Sequence, residues 1–224
     1  KSNKLNHNKM IQNITKSTDQ SKIIRTPEDY KNHIISGDGV YRYTNLDNPN
    51  IYFNENIHRL IQNYRSSFLQ LAIENIYSDK PEKETKTLEL LIKMDTYFPP
   101  DILPLRNVDL EIQVARIYKE SGNIDEYIQR LDQIKKSKNI SIENLFYIGQ
   151  LYLQDLGDYD KAISIFKELH FQYPQEFEIL LALVQVYAQS GNSDEAIMLL
   201  NNWLLDHPND PQALQWLDLL KEIS

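Results

Sequence analysis

Cysteine is absent from the 224 residues, which removes disulfide frameworks, cysteine-ligated zinc, iron–sulfur clusters and thiol nucleophiles, while leaving the redox compartment open. Turn formers are scarce as well: 6 Gly and 9 Pro argue against a many-stranded sandwich or barrel and for long helices with short connections. Basic charge is in deficit, with 24 Lys and Arg against 32 Asp and Glu and a formal charge of −8. The long basic surface of a non-specific nucleic-acid binder is therefore excluded. No long apolar run exists either. The longest, Phe177 to Ala188, is interrupted by Glu178 and Gln185 and falls well short of the roughly 20 residues that span a bilayer. No HExxH, GxSxG or phosphate-loop motif occurs, and the five histidines, His7, His33, His58, His170 and His207, are dispersed. They read as surface or packing residues, and no catalytic residue, metal site or cofactor is expected.

What charge there is lies unevenly. Lys1, Lys4, Lys9, Lys16, Lys22 and Arg25 against Asp19 give residues 1–25 a net +5, leaving −13 for the rest. This stretch is rich in Asn, Ser and Thr and reads as a basic polar lead-in or linker. The chain opens at Lys1 without a Met, an apolar signal core or a small-residue cleavage site, so it reads as an excised fragment or processed product. The sequons at Asn13 and Asn139 are what chance provides in so Asn-rich a chain.

Gly122, Gly157 and Gly191 are 35 and 34 residues apart. Other residues fall into step with them. Tyr118, Tyr152 and Tyr187 precede these glycines, Ala162 and Ala196 follow them, and Pro174 and Pro208 come 17 residues after the last two. The unit from Ile142 to Pro174 carries Leu145, Ile148, Gly149, Tyr152, Gly157, Ala162 and Phe166. The unit from Phe177 to Pro208 carries Leu180, Leu183, Tyr187, Gly191, Ala196 and Leu200, with Val184 where a small residue is usual. An earlier unit from Val108 keeps Ala115, Tyr118, Gly122, Leu131 and Ile134 but has Tyr127 at the small position and no closing Pro, which predicts looser helix pairing. The pattern resembles the tetratricopeptide repeat, a helix–turn–helix unit of about 34 residues. Gly permits the turn, Ala lets the helices approach, and Pro closes the second helix. Asn123 with Glu126, Asn192 with Glu195, and Asp210 before Pro211 mark helix starts, and residues 211–223 read as a capping helix.

Upstream, Ile57, Leu60, Ile61, Tyr64, Phe68, Leu71, Ala72 and Ile76 follow helical spacing, as do Leu88, Leu91, Ile92 and Tyr97 before Pro99 and Pro100. The expected fold is all-α: a right-handed α-α superhelix, a tetratricopeptide-like solenoid over residues 55–223. Before it comes a short turn-rich segment, 26–54, with a helix from Thr26 to Gly37 and a loop pinned by Tyr41, Tyr43, Tyr52 and Phe53.

The run from Tyr52 to Ala72, with Asp47 and Pro49 before it, is similar to the C-terminal soluble region of a bacterial family of multi-pass membrane proteins. That family is related to protein O-mannosyltransferases, in the integral-membrane glycosyltransferase class. The matching residues include Tyr52, Glu55, Asn56, Arg59, Asn63, Arg65, Phe68 and Leu71. The resemblance, extended over residues 27–224 by the repeats, implies a non-catalytic part of a longer protein whose catalytic acidic residues lie elsewhere. It implies the extracytoplasmic side of the inner membrane, whereas a +5 segment beside a membrane favours the cytoplasmic side. Both locations stay open.

Two sets of candidate residues follow. Tyr52, Glu55, Asn56, Arg59, Asn63 and Arg65 are docking candidates for the membrane-embedded part of the same full-length chain. The bland alternative is a solvated helix face with a Glu55–Arg59 pair worth a few tenths of a kcal/mol. In the repeats, first-helix register places Ile112, Arg116 and Lys119, then Phe146, Gln150 and Leu153, then Leu181, Gln185 and Gln189 along an inner groove. Gln and apolar side chains there suit an extended protein or peptide partner, whether in a scaffold domain or a free-standing adaptor. Otherwise the groove is wet or filled by a neighbouring helix. Phe146, Tyr147, Gln150 and Ala182 stand where the chaperone-binding subclass needs a Lys and Asn carboxylate clamp, so that subclass is rejected.

Overall fold

The computed structural model describes residues 10–11, 46–137 and 140–223, and every regular element within them is helical. In chain order these are α1 (Glu55–Ile76), α2 (Lys83–Tyr97), α3 (Val108–Glu120), α4 (Ile124–Lys135), α5 (Ile142–Leu156), α6 (Tyr159–Gln172), α7 (Phe177–Gln189), α8 (Ser193–Asp206) and α9 (Pro211–Ile223). The chain divides into two compact units, Lys1–Asp132 and Gln133–Ser224. The Thr26–Gly37 helix, Tyr41, Tyr43 and the sequon residues Asn13 and Asn139 lie outside the described residues, as does the lead-in except for Met10 and Ile11. Those two are helical, and they rest half-buried against the core of the first unit.

The three period-marking glycines take positive φ, 87° at Gly122, 62° at Gly157 and 79° at Gly191, a backbone region that costs other residues energy. The turns they build are nearly the same. The N–H of Asn123 donates to the carbonyl of Tyr118 at 3.0 Å and that of Asn192 to Tyr187 at 2.8 Å, closing each helix end in a Schellman-type turn. Tyr152 stands five residues before its glycine where Tyr118 and Tyr187 stand four, and this one extra residue widens the turn, so that the Asp158 N–H reaches back to the Tyr152 carbonyl at 2.9 Å. Each repeat tyrosine therefore supplies a carbonyl to the turn. Each also lies under a second-helix cation: Arg130 Cζ is 4.6 Å from the Tyr118 ring, Lys161 Nζ 4.8 Å from Tyr152 and Lys167 Nζ 5.4 Å from Tyr187.

Second helices end where a proline follows. Phe98, Tyr173 and His207 leave the helix at φ near −130° (−131°, −129° and −129°), as the ring of the next residue requires. Each still donates its N–H four residues back, at 2.8, 2.8 and 3.0 Å. Pro99 thus closes α2 as Pro174 closes α6 and Pro208 closes α8, so the α1–α2 pair obeys the same rule as the plainer repeats. α4, with no proline, ends instead in i to i+3 bonds, Lys136 to Gln133 at 3.1 Å and Ser137 to Ile134 at 3.0 Å.

In the first unit, α1 packs on α2 and α3 over a core containing Phe68, Leu71, Leu91, Met94, Phe98, Leu103 and Val114. Tyr127, at the nominally small position, is fully buried. In the second unit each helix packs on its sequence neighbours, α5 on α6, α6 on α7, α7 on α8 and α8 on α9. Ala162 and Ala196 are fully buried there, as is Val184. Helix starts follow the side-chain chemistry in most cases: Asn54, Asn107, Asn123, Ser141, Asp158 and Asp210 each accept from a first-turn N–H. Glu82 before α2, Glu176 before α7 and Asn192 before α8 do not. The Asn192 Nδ2 donates instead to Ser190 Oγ at 2.9 Å.

Gly149 shows why a helix interior tolerates glycine. A Cβ there would lie 2.8 Å from Cε1 and Cζ of Phe166 and 3.2 Å from Cγ2 of Ile165, and Phe166 is itself buried with its ring tilted on Phe146 at 5.3 Å. Helix propensity alone would favour Gly149→Ala by about 1 kcal/mol, whereas overpacking costs about 1–3 kcal/mol. The variant is expected to be less stable than wild type in chemical denaturation. A more stable variant would mean that Phe166 moves aside at little cost.

Candidate functional site

The candidate face is built by α5 and α7, the first helices of the second unit. Ser141 starts α5 by accepting from the Asn144 N–H at 3.2 Å, and the helical period then sets Glu143, Phe146, Gln150 and Gln154 on one face. A repeat of 35 residues through the widened turn sets Glu178, Leu181, Gln185 and Gln189 likewise on α7. The two helices thus present matching rows: acid, apolar, amide, amide. Phe146, Gln150, Leu153, Leu181 and Gln185 are half-buried and Gln189 is exposed. Neither α5 nor α7 contains a Lys or Arg. Glu143 is held below the usual carboxylate range by its own backbone N–H and the Ser141 hydroxyl.

Other candidates fall elsewhere. In the first unit Arg116 is exposed and Lys119 half-buried on α3, but Ile112 is only 2% exposed and belongs to the core. Tyr52, Glu55, Asn56, Arg59 and Asn63 are exposed. The Glu55–Arg59 pair is not what forms: Glu55 pairs with Arg106 at 2.5 Å, while Arg59 donates to Asn56 Oδ1 at 3.2 Å. Arg65 departs most from expectation. It is 2% exposed, donates through Nη2 to the carbonyls of Phe98 (2.8 Å) and Leu103, and lies 5.7 Å from the Phe98 ring. Its place on the stripe Ile61, Phe68, Ala72 turns it into the core, so it is no docking residue.

A second polar cluster escaped the sequence reading. Arg130 on α4 donates through Nη2 to Asp95 of α2 at 2.5 Å and through Nε to Glu126 at 2.8 Å. The Tyr118 hydroxyl on α3 donates to the same Asp95 oxygen. Burial pushes the Asp95 carboxyl up despite the opposing pull of Arg130 and Tyr118, and burial with the Asp95 charge drives the Tyr118 phenol far up. Every donor here points at a side chain of another helix turn, so the cluster ties α2, α3 and α4 together. The available signal was Arg130 lying between Tyr127, Leu131 and Ile134.

One apolar pair lies on the second helices. Phe171 of α6 and Leu205 of α8, both three residues before a closing proline, are 88% and 81% exposed. Among the described residues no three His, Asp or Glu side chains are grouped to hold a metal ion, and no helix is long and apolar enough to cross a membrane.

Comparison with known proteins adds the following. No curated protein matches the chain. Among solved structures, MamA AMB-1 is similar at 18% identity over 72% of this chain and 82% of that one, with a TM-score of 0.44. A tetratricopeptide repeat protein from Parabacteroides merdae ATCC 43184 is similar at 17% identity over 86% of this chain and 70% of that one, with a TM-score of 0.42. Residues 153–218, from within α5 to within α9, match the tetratricopeptide repeat family model, and every regular element of the described residues is helical, as in a tetratricopeptide-like solenoid.

Proposed function

We propose that the chain is a non-catalytic protein-interaction scaffold whose second unit holds a partner polypeptide on the α5–α7 face. The observation that carries this reading is the pair of half-buried rows, Phe146 with Leu181 and Gln150 with Gln185, repeated in register on successive first helices. Apolar side chains that are partly open offer shallow pockets, and Gln amides both donate to and accept from an extended main chain. Arg116 and Lys119 are the first unit's counterpart by register. The test is a photo-crosslinker placed singly at Gln150, at Gln185 and at Phe171 in the native cell. A single partner crosslinked from Gln150 and Gln185, and lost by about tenfold in co-purification when both become Ala, supports the reading. Capture from Phe171 alone, with the Gln variants unaffected, would move the site to the second helices and overturn it.

A narrower reading makes this scaffold the soluble C-terminal part of a membrane glycosyltransferase-like protein, positioning a polypeptide acceptor, with Tyr52, Glu55, Asn56, Arg59 and Asn63 docking on the membrane-embedded part. It rests on the resemblance of residues 52–72. The reading frame upstream of Lys1 tests it: transmembrane helices and acidic catalytic residues would support it, and a frame without them would end it.

A further inference from the structure

The face just described also specifies its partner, and this step rests on the proposed function. We infer that the α5–α7 face takes an internal, extended segment carrying Lys or Arg beside apolar anchors, and rejects acidic segments and free C-terminal carboxylates. Three observations converge. First, α5 and α7 contain no Lys or Arg, so the face has no cation for a carboxylate or phosphate. Second, the cations of the adjoining second helix are engaged elsewhere, Lys161 over the Tyr152 ring and Lys167 over the Tyr187 ring. Third, the exposed carboxylates Glu143 and Glu178 stand one turn before Phe146 and Leu181 on their helices.

That order fixes a recognition pattern. A partner chain crossing from α5 to α7 meets the same three chemistries twice: a carboxylate for a cation, an apolar side chain for an apolar anchor, and an amide for a peptide group. A neutral apolar segment would use only two of the three. An acidic one would bring like charges together without a compensating cation, which is how such a surface excludes wrong partners. The main chain, gripped through Gln150 and Gln185, needs no terminus.

The experiment uses the full chain and two end-capped peptides with the same apolar positions, one with Lys and one with Glu between them. A third peptide repeats the Lys sequence with a free C-terminal carboxylate. The Lys peptide should bind about tenfold more tightly than the Glu peptide at low salt, from two exposed charge pairs, and the gap should shrink at high salt. Glu143→Lys with Glu178→Lys should reverse the preference, while a Lys pair at Glu168 and Asp206 on the second helices should not. The free carboxylate should bring no gain. Equal binding of the Lys and Glu peptides, or a preference untouched by the Glu143 and Glu178 changes, would overturn the inference while leaving the face as a site. If no peptide binding responds to Gln150→Ala with Gln185→Ala, the proposed site itself is wrong.

Discussion

Asp95→Ala should destabilise the first unit by about 3–5 kcal/mol, because it strands a guanidinium that the fold has already taken out of water. Arg130 has only 10% of its side chain exposed and Asp95 only 20%. Taking both charges out of water offsets most of their mutual attraction, so a buried pair of this kind adds little to stability when intact, in keeping with the upward push that burial exerts on the Asp95 carboxyl. Removing one member is a different matter: the Arg130 charge would keep only Glu126 and the face of the Tyr118 ring, and the Tyr118 hydroxyl would lose its acceptor. The double variant Asp95→Leu with Arg130→Met removes both charges and should recover most of the loss. Chemical denaturation of the single and double variants provides the check. A double variant no better than Asp95→Ala would mean that the network stabilises in its own right.

Arg65→Met is the second large effect, expected at about 2–5 kcal/mol. The substitution keeps length and apolar contact along α1 but removes the donor to two carbonyls, Phe98 O and Leu103 O. Each buried acceptor left unsatisfied costs about 1–3 kcal/mol. These carbonyls bracket the turn that Pro99 and Pro100 begin, where few backbone bonds form: Ile102 and Leu103 both donate to Pro99 O, at 3.1 and 2.8 Å. Burial pulls the Arg65 guanidinium down to about 10, so it remains charged at neutral pH. The damage should therefore be local as well as global. Amide exchange over residues 98–106 should accelerate more than in Asp95→Ala, and Arg65→Lys should restore part of the protection. Uniform loss of protection across the unit would argue that Arg65 acts only through packing.

Helix identity in the repeats was legible because glycine and proline have backbone consequences independent of context. Gly122, Gly157 and Gly191 could be placed in turns from spacing alone, and the widened turn at Gly157 was visible as one surplus residue. Apolar periodicity likewise foretold α1 and α2. Charge was harder to read. Arg65 looked like a surface residue because arginine is rarely buried, although its neighbours four residues back and three ahead, Ile61 and Phe68, already placed it on the core stripe. The Glu55–Arg59 pair was a local guess defeated by Arg106, a partner 51 residues away. Asp95, Tyr118 and Arg130 lie on three helices, and only the packing of those helices brings them together. For the candidate face, register was enough to name Phe146, Gln150, Leu181 and Gln185, but the matching acids Glu143 and Glu178 emerged only with the turn geometry that shifts the second row by 35 residues.

The neighbour-on-neighbour packing of α5 through α9 bears on how the second unit forms during synthesis. Each contact closes a short loop, so little chain entropy is lost before apolar burial begins, and such topologies fold quickly. A helix pair can dock as soon as it has been synthesised, without waiting for a distant strand or terminus. Formation then spreads along the chain from any completed pair. Truncation within α9 should accordingly fray the end it removes and leave α5–α7, with its rows of Gln and apolar side chains, assembled.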